Sequence, residues 1–275
     1  MSFNHSKETM GMYKPNSRFN HVPKGRVSRH GHIYPILFAC MVVFLIYSSQ
    51  VTAITPAAMN THAIYKQDTV SQLGTQENSD LQLLVRGLKA FGREDYQQAA
   101  NLMLPLADKG VSEAQFYMGM MSDAGLGTDK DVEQAYLWYL AAAQGGHPSA
   151  QHNLAVAYAQ GEGVTPDPEK AVYWWQRAAK QGNADAQYNL GIVYAVGKLG
   201  VKQDLEVAKE WWSKAANNGD GMAQYNLGIL YANNKKSTGH CDAKRWWEKS
   251  AENGVAQAGI ALELLKLRKD YKSCM

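Results

Sequence analysis

Few side chains in this sequence could carry out catalysis or bind a metal, and they do not form a recognisable motif. No G-x-S-x-G, S-x-x-K, P-loop or H-E-x-x-H spacing is present, so no arrangement is evident for a nucleophile, a phosphate or a zinc ion. His147, His152 and His240 stand at unrelated positions in the surrounding pattern. We therefore predict a non-enzymatic protein without a bound metal or cofactor.

The acidic residues that do recur are predicted to be helix caps. Asp131, Asp167 and Asp204 each precede a helical pattern. A carboxylate at that place accepts hydrogen bonds from the free N–H groups of the first helical turn. Pro168 follows one of them, at a position where proline loses no hydrogen bond. A catalytic pair of acids would occur once, whereas these aspartates return with the rest of the pattern.

The pattern is an internal repeat, and residues 147–182 are its most complete copy. Three markers return every 33 to 37 residues: an Ala-Gln pair, a tryptophan and a closing glycine. The glutamines are Gln115, Gln151, Gln187, Gln224 and Gln257, the tryptophans Trp138, Trp174, Trp211 and Trp246, and the glycines Gly110, Gly146, Gly182, Gly219 and Gly254. One such series could arise by chance, but three series in constant phase establish a repeat.

Each repeat is predicted to be a helical hairpin. Leu154 and Tyr158, with their equivalents, give the first helix an apolar stripe, and a Gly-x-Gly pair then ends that helix. All seven tryptophans fall in the second helix, in four adjacent aromatic pairs beginning at the tryptophans named above. We predict that these rings are core rather than an exposed stacking platform for sugars or bases. Because a lone hairpin cannot bury its apolar surface, the fold should be all-α, an α/α superhelical solenoid of about five hairpins plus a C-terminal capping helix.

A known family shares this pattern. The motifs A-x-A-Q-x-x-L-G-x-x-Y, G-x-G-V, D-x-x-x-A-x-x-W and A-A-x-x-G, over about residues 81–272, resemble the Sel-one-like repeat, a relative of the tetratricopeptide repeat. The fourth copy departs from it, since it lacks the Gly-x-Gly pair and has Gly239 in place of the capping aspartate. The resemblance implies a concave groove, lined by the first helices, that holds a protein or peptide.

Two other functions stay open under the same resemblance. Some secreted members bind or hydrolyse β-lactams, but they carry regular cysteine pairs in each repeat and this chain does not. A lumenal eukaryotic adaptor is the third possibility. Neither is the primary prediction, which is an exported bacterial scaffold.

The predicted groove would present one polar row. Its members, one from each repeat, are Tyr117, Asn153, Asn189 and Asn226. By the resemblance, asparagine amides spaced one repeat apart could hydrogen-bond the backbone of an extended peptide. Alternatively, these asparagines lie on ordinary helix surface or bond between repeats. The residues alone leave both readings open.

The N-terminal part is predicted to direct export. Residues 1–53 hold six of the 28 basic residues and one of the 25 acidic ones, and an apolar run spans residues 33–47. Small residues at 51–53 fit a signal peptide cleaved after Ala53, which would make the protein periplasmic or secreted. The alternative is an uncleaved membrane anchor over residues 33–54, and this would be the only membrane contact. Residues 54–80 then form a flexible linker and residues 81–275 the solenoid.

Charge and cysteines complete the predictions. The remainder of the chain has 22 basic and 24 acidic residues, which disfavours a nucleic-acid partner because such a surface needs a basic face. Cys241 opens the second helix of the fourth hairpin, and an antiparallel final helix would return Cys274 to the same end. In an oxidising compartment the two are predicted to form a disulfide, the alternative being two free thiols.

Overall fold

The computed structural model describes residues 79–233 and 239–267, and all regular structure in these ranges is α-helical. The helices are α1 (residues 79–92), α2 (Tyr96–Asp108), α3 (Ser112–Ala124), α4 (Val132–Gln144), α5 (Pro148–Gln160), α6 (Pro168–Lys180), α7 (Ala184–Val196), α8 (Leu205–Asn217), α9 (Gly221–Ala232), α10 (Gly239–Glu252) and α11 (Ala256–Lys266). Each helix packs against its neighbours in the chain. Five hairpins, from α1–α2 to α9–α10, are followed by α11. The predicted all-α solenoid is thus confirmed.

The second helices begin where the aspartates predict. The Asp131 carboxylate accepts from the N–H of Gln134 at 2.9 Å, and Asp167 accepts from that of Lys170 at 3.0 Å. Three of the first helices, α5, α7 and α9, have side-chain caps too, which the repeat markers do not reveal. These caps are His147, Asn183 and Asp220, which accept from the N–H groups of Ala150, Ala186 and Ala223 respectively.

The Gly-x-Gly loop brings successive hairpins into backbone contact. Gly161 and Gly163 have φ angles of +79° and +69°, a region that suits glycine. A Cβ atom added at Gly163 would lie 2.1 Å from the carbonyl oxygen of Val132, the first residue of α4. The second glycine therefore lets this loop pass directly over the start of the preceding hairpin's second helix.

The tryptophans form the core, as predicted. Trp175, Trp212 and Trp247, the second members of their pairs, are buried, and Tyr139 holds the same place in the first repeat. The Trp212 indole N–H donates to the Tyr188 carbonyl at 3.2 Å. The Trp212 ring packs directly against Gly191 of α7 and occupies the space that a Cβ atom there would need. The packing therefore requires glycine at this position. The first members of the pairs lie nearer the surface, three of them half-buried.

A ladder of buried glutamines joins the repeats, and it explains the Ala-Gln marker. In four repeats the glutamine Nε2 donates to a carbonyl eight residues earlier, in the last turn of the preceding second helix, at 3.0 to 3.1 Å. The pairs are Gln115 with Ala107, Gln151 with Ala143, Gln187 with Ala179, and Gln224 with Ala216. In three of them the Oε1 atom accepts from an amide at the end of its own hairpin, supplied by Gln181, Asn218 or Asn253. We call these four residues the glutamine ladder.

The fifth glutamine marker is out of register, so its assignment to the repeat was wrong. In the other units the glutamine lies four residues after the N-cap of the first helix, as Gln187 does after Asn183. The N-cap of α11 is Val255, which places Gly259 at the ladder position. Gln257 is exposed. The Ala-Gln pair of α11 therefore lies two residues closer to the N-cap than in the other units, and the Gln257 side chain is not placed to join the ladder.

No helix within residues 79–233 and 239–267 combines the length and apolarity needed to cross a bilayer. The predicted signal or anchor lies outside the described residues, as does most of the predicted linker.

Candidate partner-binding face

The four residues of the predicted row occupy equivalent positions, six residues after the N-caps of α3, α5, α7 and α9. Their exposure differs. Tyr117 and Asn153 are half-buried, whereas Asn189 is 0% and Asn226 3% exposed. Contact between a partner and this row stays a prediction. Of the four side chains, a partner can reach those of Tyr117 and Asn153.

Tyr117 is held in place by aromatic neighbours. Its ring makes edge contacts with Phe91, at a centroid distance of 4.9 Å, and with Phe116, at 5.5 Å. Burial raises the pKa of the Tyr117 hydroxyl, and the negative charge of Glu113 raises it further. The hydroxyl is therefore neutral at physiological pH and able to donate or accept a hydrogen bond.

Two asparagines of the row bond to tyrosines in the preceding repeat. Asn153 hydrogen-bonds the side chain of Tyr139, and Asn226 does the same with Tyr188. Burial is the largest influence on both phenols; it raises the pKa of Tyr188 to about 12, and that of Tyr139 also lies far above its ordinary value. These contacts match the alternative in which the asparagines bond between repeats. Asn226 serves the fold, while Asn153 also remains partly exposed.

His147 closes the junction between the first two repeats. Its Nδ1 accepts from the Ala150 N–H at 3.2 Å, so Nε2 carries the proton and donates to Glu113 at 3.1 Å. The imidazole stacks on Phe116 at a centroid distance of 4.3 Å. His147 stands where Asn183 and Asp220 cap later repeats, and that shared position was the signal available in the sequence.

Together these residues form one surface, which we call the α3–α5 face: Glu113, Tyr117, Ser149 and Asn153. All four are half-buried and polar. Two of them rest on aromatic neighbours, because Phe91 and Phe116 contact the Tyr117 ring and His147, stacked on Phe116, hydrogen-bonds Glu113. Such a surface can form directed hydrogen bonds and one ion pair with little rearrangement.

The remaining candidates for chemistry do not converge on a centre in the part of the chain that the structure describes. No group of three His, Cys, Asp or Glu side chains there could hold a metal ion. His152 and His240 are both buried, in different repeats. Cys241 is disulfide-bonded, and Cys274 lies outside the described residues, so the pairing of these two cysteines stays a prediction.

The model of the Sel1 repeat matches residues 112–147, 148–183, 184–220 and 221–255, just over half of the chain. The protein belongs to the Sel1 repeat family. The matched segments begin at the first residues of α3, α5, α7 and α9, and the last one ends at the N-cap of α11. Helix α11 thus lies outside the matched repeats, in agreement with the different spacing between its N-cap and Gln257.

Solved Sel1 structures resemble this chain. A Sel1 repeat protein from Oxalobacter formigenes is 30% identical with a TM-score of 0.61, over 65% of this chain and 73% of that one. A protective antigen present in uropathogenic Escherichia coli strains, which displays the same repeat fold, is 32% identical with a TM-score of 0.62, over 70% of this chain and 42% of its own. The chain therefore spans less than half of that antigen's length. No curated protein matches the chain.

Proposed function

We propose that this Sel1 repeat domain is an exported, non-enzymatic scaffold that binds a protein or peptide on the α3–α5 face. Sel1 repeat solenoids are typically protein-interaction scaffolds. The observation that supports this location is the partly exposed Tyr117, fixed by Phe91 and Phe116 beside the half-buried Asn153.

The physical argument is preorganisation. A partner that docks on flexible side chains must bear the entropy of ordering them, whereas a tyrosine already packed between two rings loses little freedom on binding. Tyrosines of this kind commonly carry a large part of interface energy. Asn153 would act similarly, because its hydrogen bond to Tyr139 already fixes the amide. Glu113 would favour a partner with a positive or N–H-rich group at this place.

The two later asparagines have a supporting role in this proposal. Asn189 and Asn226 are too buried to touch a partner without a change in helix packing. The partner-binding prediction is therefore strongest for the first two repeats. A β-lactam function has no observation in its favour.

Photocrosslinking in the bacterial host tests the site. A benzoylphenylalanine residue replaces Tyr117 or, in a second strain, Asn153, and the matched control carries it at Tyr173, an exposed tyrosine on the second helix α6. We expect covalent adducts of one defined mass from the first two positions after irradiation and none from Tyr173. Equal adducts from all three positions, or none from Tyr117 and Asn153, would refute the site.

Export is supported by the basic and then apolar N-terminal segment. Fractionation of the native host followed by intact-mass measurement tests it. A periplasmic or secreted species beginning at residue 54 would show a cleaved signal, and a membrane-bound species of full mass would show an anchor. A full-length cytoplasmic species would refute export.

A further inference from the structure

The last helix, α11, exposes an apolar stripe. Ile260, Leu264 and Leu267 are spaced by four and three residues, so they lie on one side of the helix. They are 63%, 62% and 82% exposed. The opposite side, with Ala258 and Leu265, packs onto the α9–α10 hairpin.

The repeat shows what covers this side of a first helix elsewhere. Counted from the N-caps, the stripe corresponds to Tyr188, Ile192 and Ala195 of α7, which are 1%, 4% and 2% exposed. In α7 these residues pack in one cluster with Ala208 and Trp212 of α8, the second helix of that hairpin. The same positions in α9 pack against Trp247 of α10.

The α11 stripe is therefore half of a hairpin core. An exposed apolar side on a solenoid helix promotes association with another surface. Here leucine and isoleucine occupy the positions that are buried in α7 and half-buried against α10 in α9. The α11 stripe thus has the positions that pack against a second helix inside the solenoid. A helix with the side chains of such a second helix is therefore the occupant that fits it.

We infer that the α11 stripe is a docking site for an amphipathic helix of another protein, one that carries small residues and a large aromatic ring at the spacing found in α8. Ala208 and Trp212 are four residues apart and face the same side of that helix. The docked helix takes the place of a sixth second helix, in the manner of helix-in-groove recognition. This surface is separate from the α3–α5 face, so the two proposals stand or fall independently.

The chain supplies its own probe. A fluorescently labelled peptide with the sequence of Asp204 and α8 is titrated with the purified full-length protein, and binding is followed by fluorescence anisotropy. The matched control peptide carries Trp212→Glu. The protein variants are Leu264→Glu and Ile260→Glu on the stripe, and Leu81→Glu, an equally exposed leucine on α1, as the control.

We expect saturable binding that falls by about tenfold or more in each stripe variant, because burying a large aliphatic side chain contributes roughly that factor. The control peptide should lose binding to a similar degree, and Leu81→Glu should change nothing. Circular dichroism should show unchanged helicity in the variants, since the substituted side chains are exposed. Undetectable binding, or binding equal in wild type and stripe variants, would overturn the inference.

Sedimentation of the protein alone tests whether a second copy of the chain covers the α11 stripe instead. We expect a monomer whose sedimentation the Leu264→Glu substitution does not alter. A dimer that this substitution dissociates would overturn the inference in favour of a contact between two copies of the chain.

Discussion

Replacing Gln151 with alanine tests whether the glutamine ladder stabilises the solenoid. Gln151 is buried, and its Nε2 donates to the Ala143 carbonyl at 3.1 Å while its Oε1 accepts from Gln181 at 2.7 Å. The substitution removes both hydrogen bonds, one methylene group and the amide from the junction between two repeats. The effect should therefore appear in the free energy of unfolding.

The size of the stability loss depends on whether the two hydrogen-bond partners of Gln151 are left unsatisfied. The Ala143 carbonyl still accepts from the Gly146 N–H at 3.0 Å, and the exposed Gln181 amide can bond to water, so neither is left unsatisfied. Two hydrogen bonds then contribute about 2 kcal/mol. The buried methylene adds about 0.8 kcal/mol. We expect Gln151→Ala to lower the free energy of unfolding by about 3 kcal/mol in urea titrations.

Two further variants locate the cause. Gln151→Met keeps the volume and loses both hydrogen bonds, so its loss should be about 2 kcal/mol. Gln257→Ala changes the same residue type in a similar Ala-Gln sequence, but this side chain is exposed and outside the ladder, so its effect should stay within about 0.5 kcal/mol. If Gln257→Ala matches Gln151→Ala, or if Gln151→Met equals wild type, the ladder does not stabilise the junction.

Three other predictions concern charge, backbone and redox state. Burial, which outweighs a nearby lysine, raises the pKa of the Asp123 carboxyl, so its charge opposes folding above that pKa and ceases to do so below the unfolded value of 3.8. Asp123→Asn should therefore raise the melting temperature at neutral pH, with a gain that disappears as the pH falls below 3.8; an equal gain at both pH values would contradict this reasoning. Gly163→Ala should destabilise by about 2 to 4 kcal/mol in urea titrations, because a positive φ and a backbone clash add. Gly200→Ala, with a φ of +75° but nothing within 4 Å of the new Cβ, should lose only about 1 kcal/mol, and equal losses would refute the clash. Peptide mapping under non-reducing conditions should find Cys241 linked to Cys274 in exported protein; two free thiols would exclude the bridge.

Much of the fold was predictable because its signals are local and periodic. Asp131 and Asp167 announce helices through hydrogen bonds to their own first turns, and the second-helix tryptophans follow at a fixed helical phase. Repetition then turned each weak signal into a strong one. The number of hairpins followed from the period, whereas the sequence did not show which ring of each aromatic pair is the more buried.

The candidate site was less predictable because exposure depends on how neighbouring repeats meet. Asn153 and Asn189 have equivalent places and the same residue type, but only the first is partly exposed. The sequence also could not distinguish Gln257 from Gln187. Both follow alanine, and the difference is the distance from the N-cap, which requires the helix start to be known.

The glutamine ladder also allows the number of repeats in this protein to change. Each of its glutamines reaches a carbonyl eight residues back, whichever hairpin supplies it. Excision of residues 148–183 would set Gln187 against the Ala143 carbonyl, the partner that Gln151 now has. Whole units can therefore be gained by duplication or lost by deletion without a new junction having to evolve.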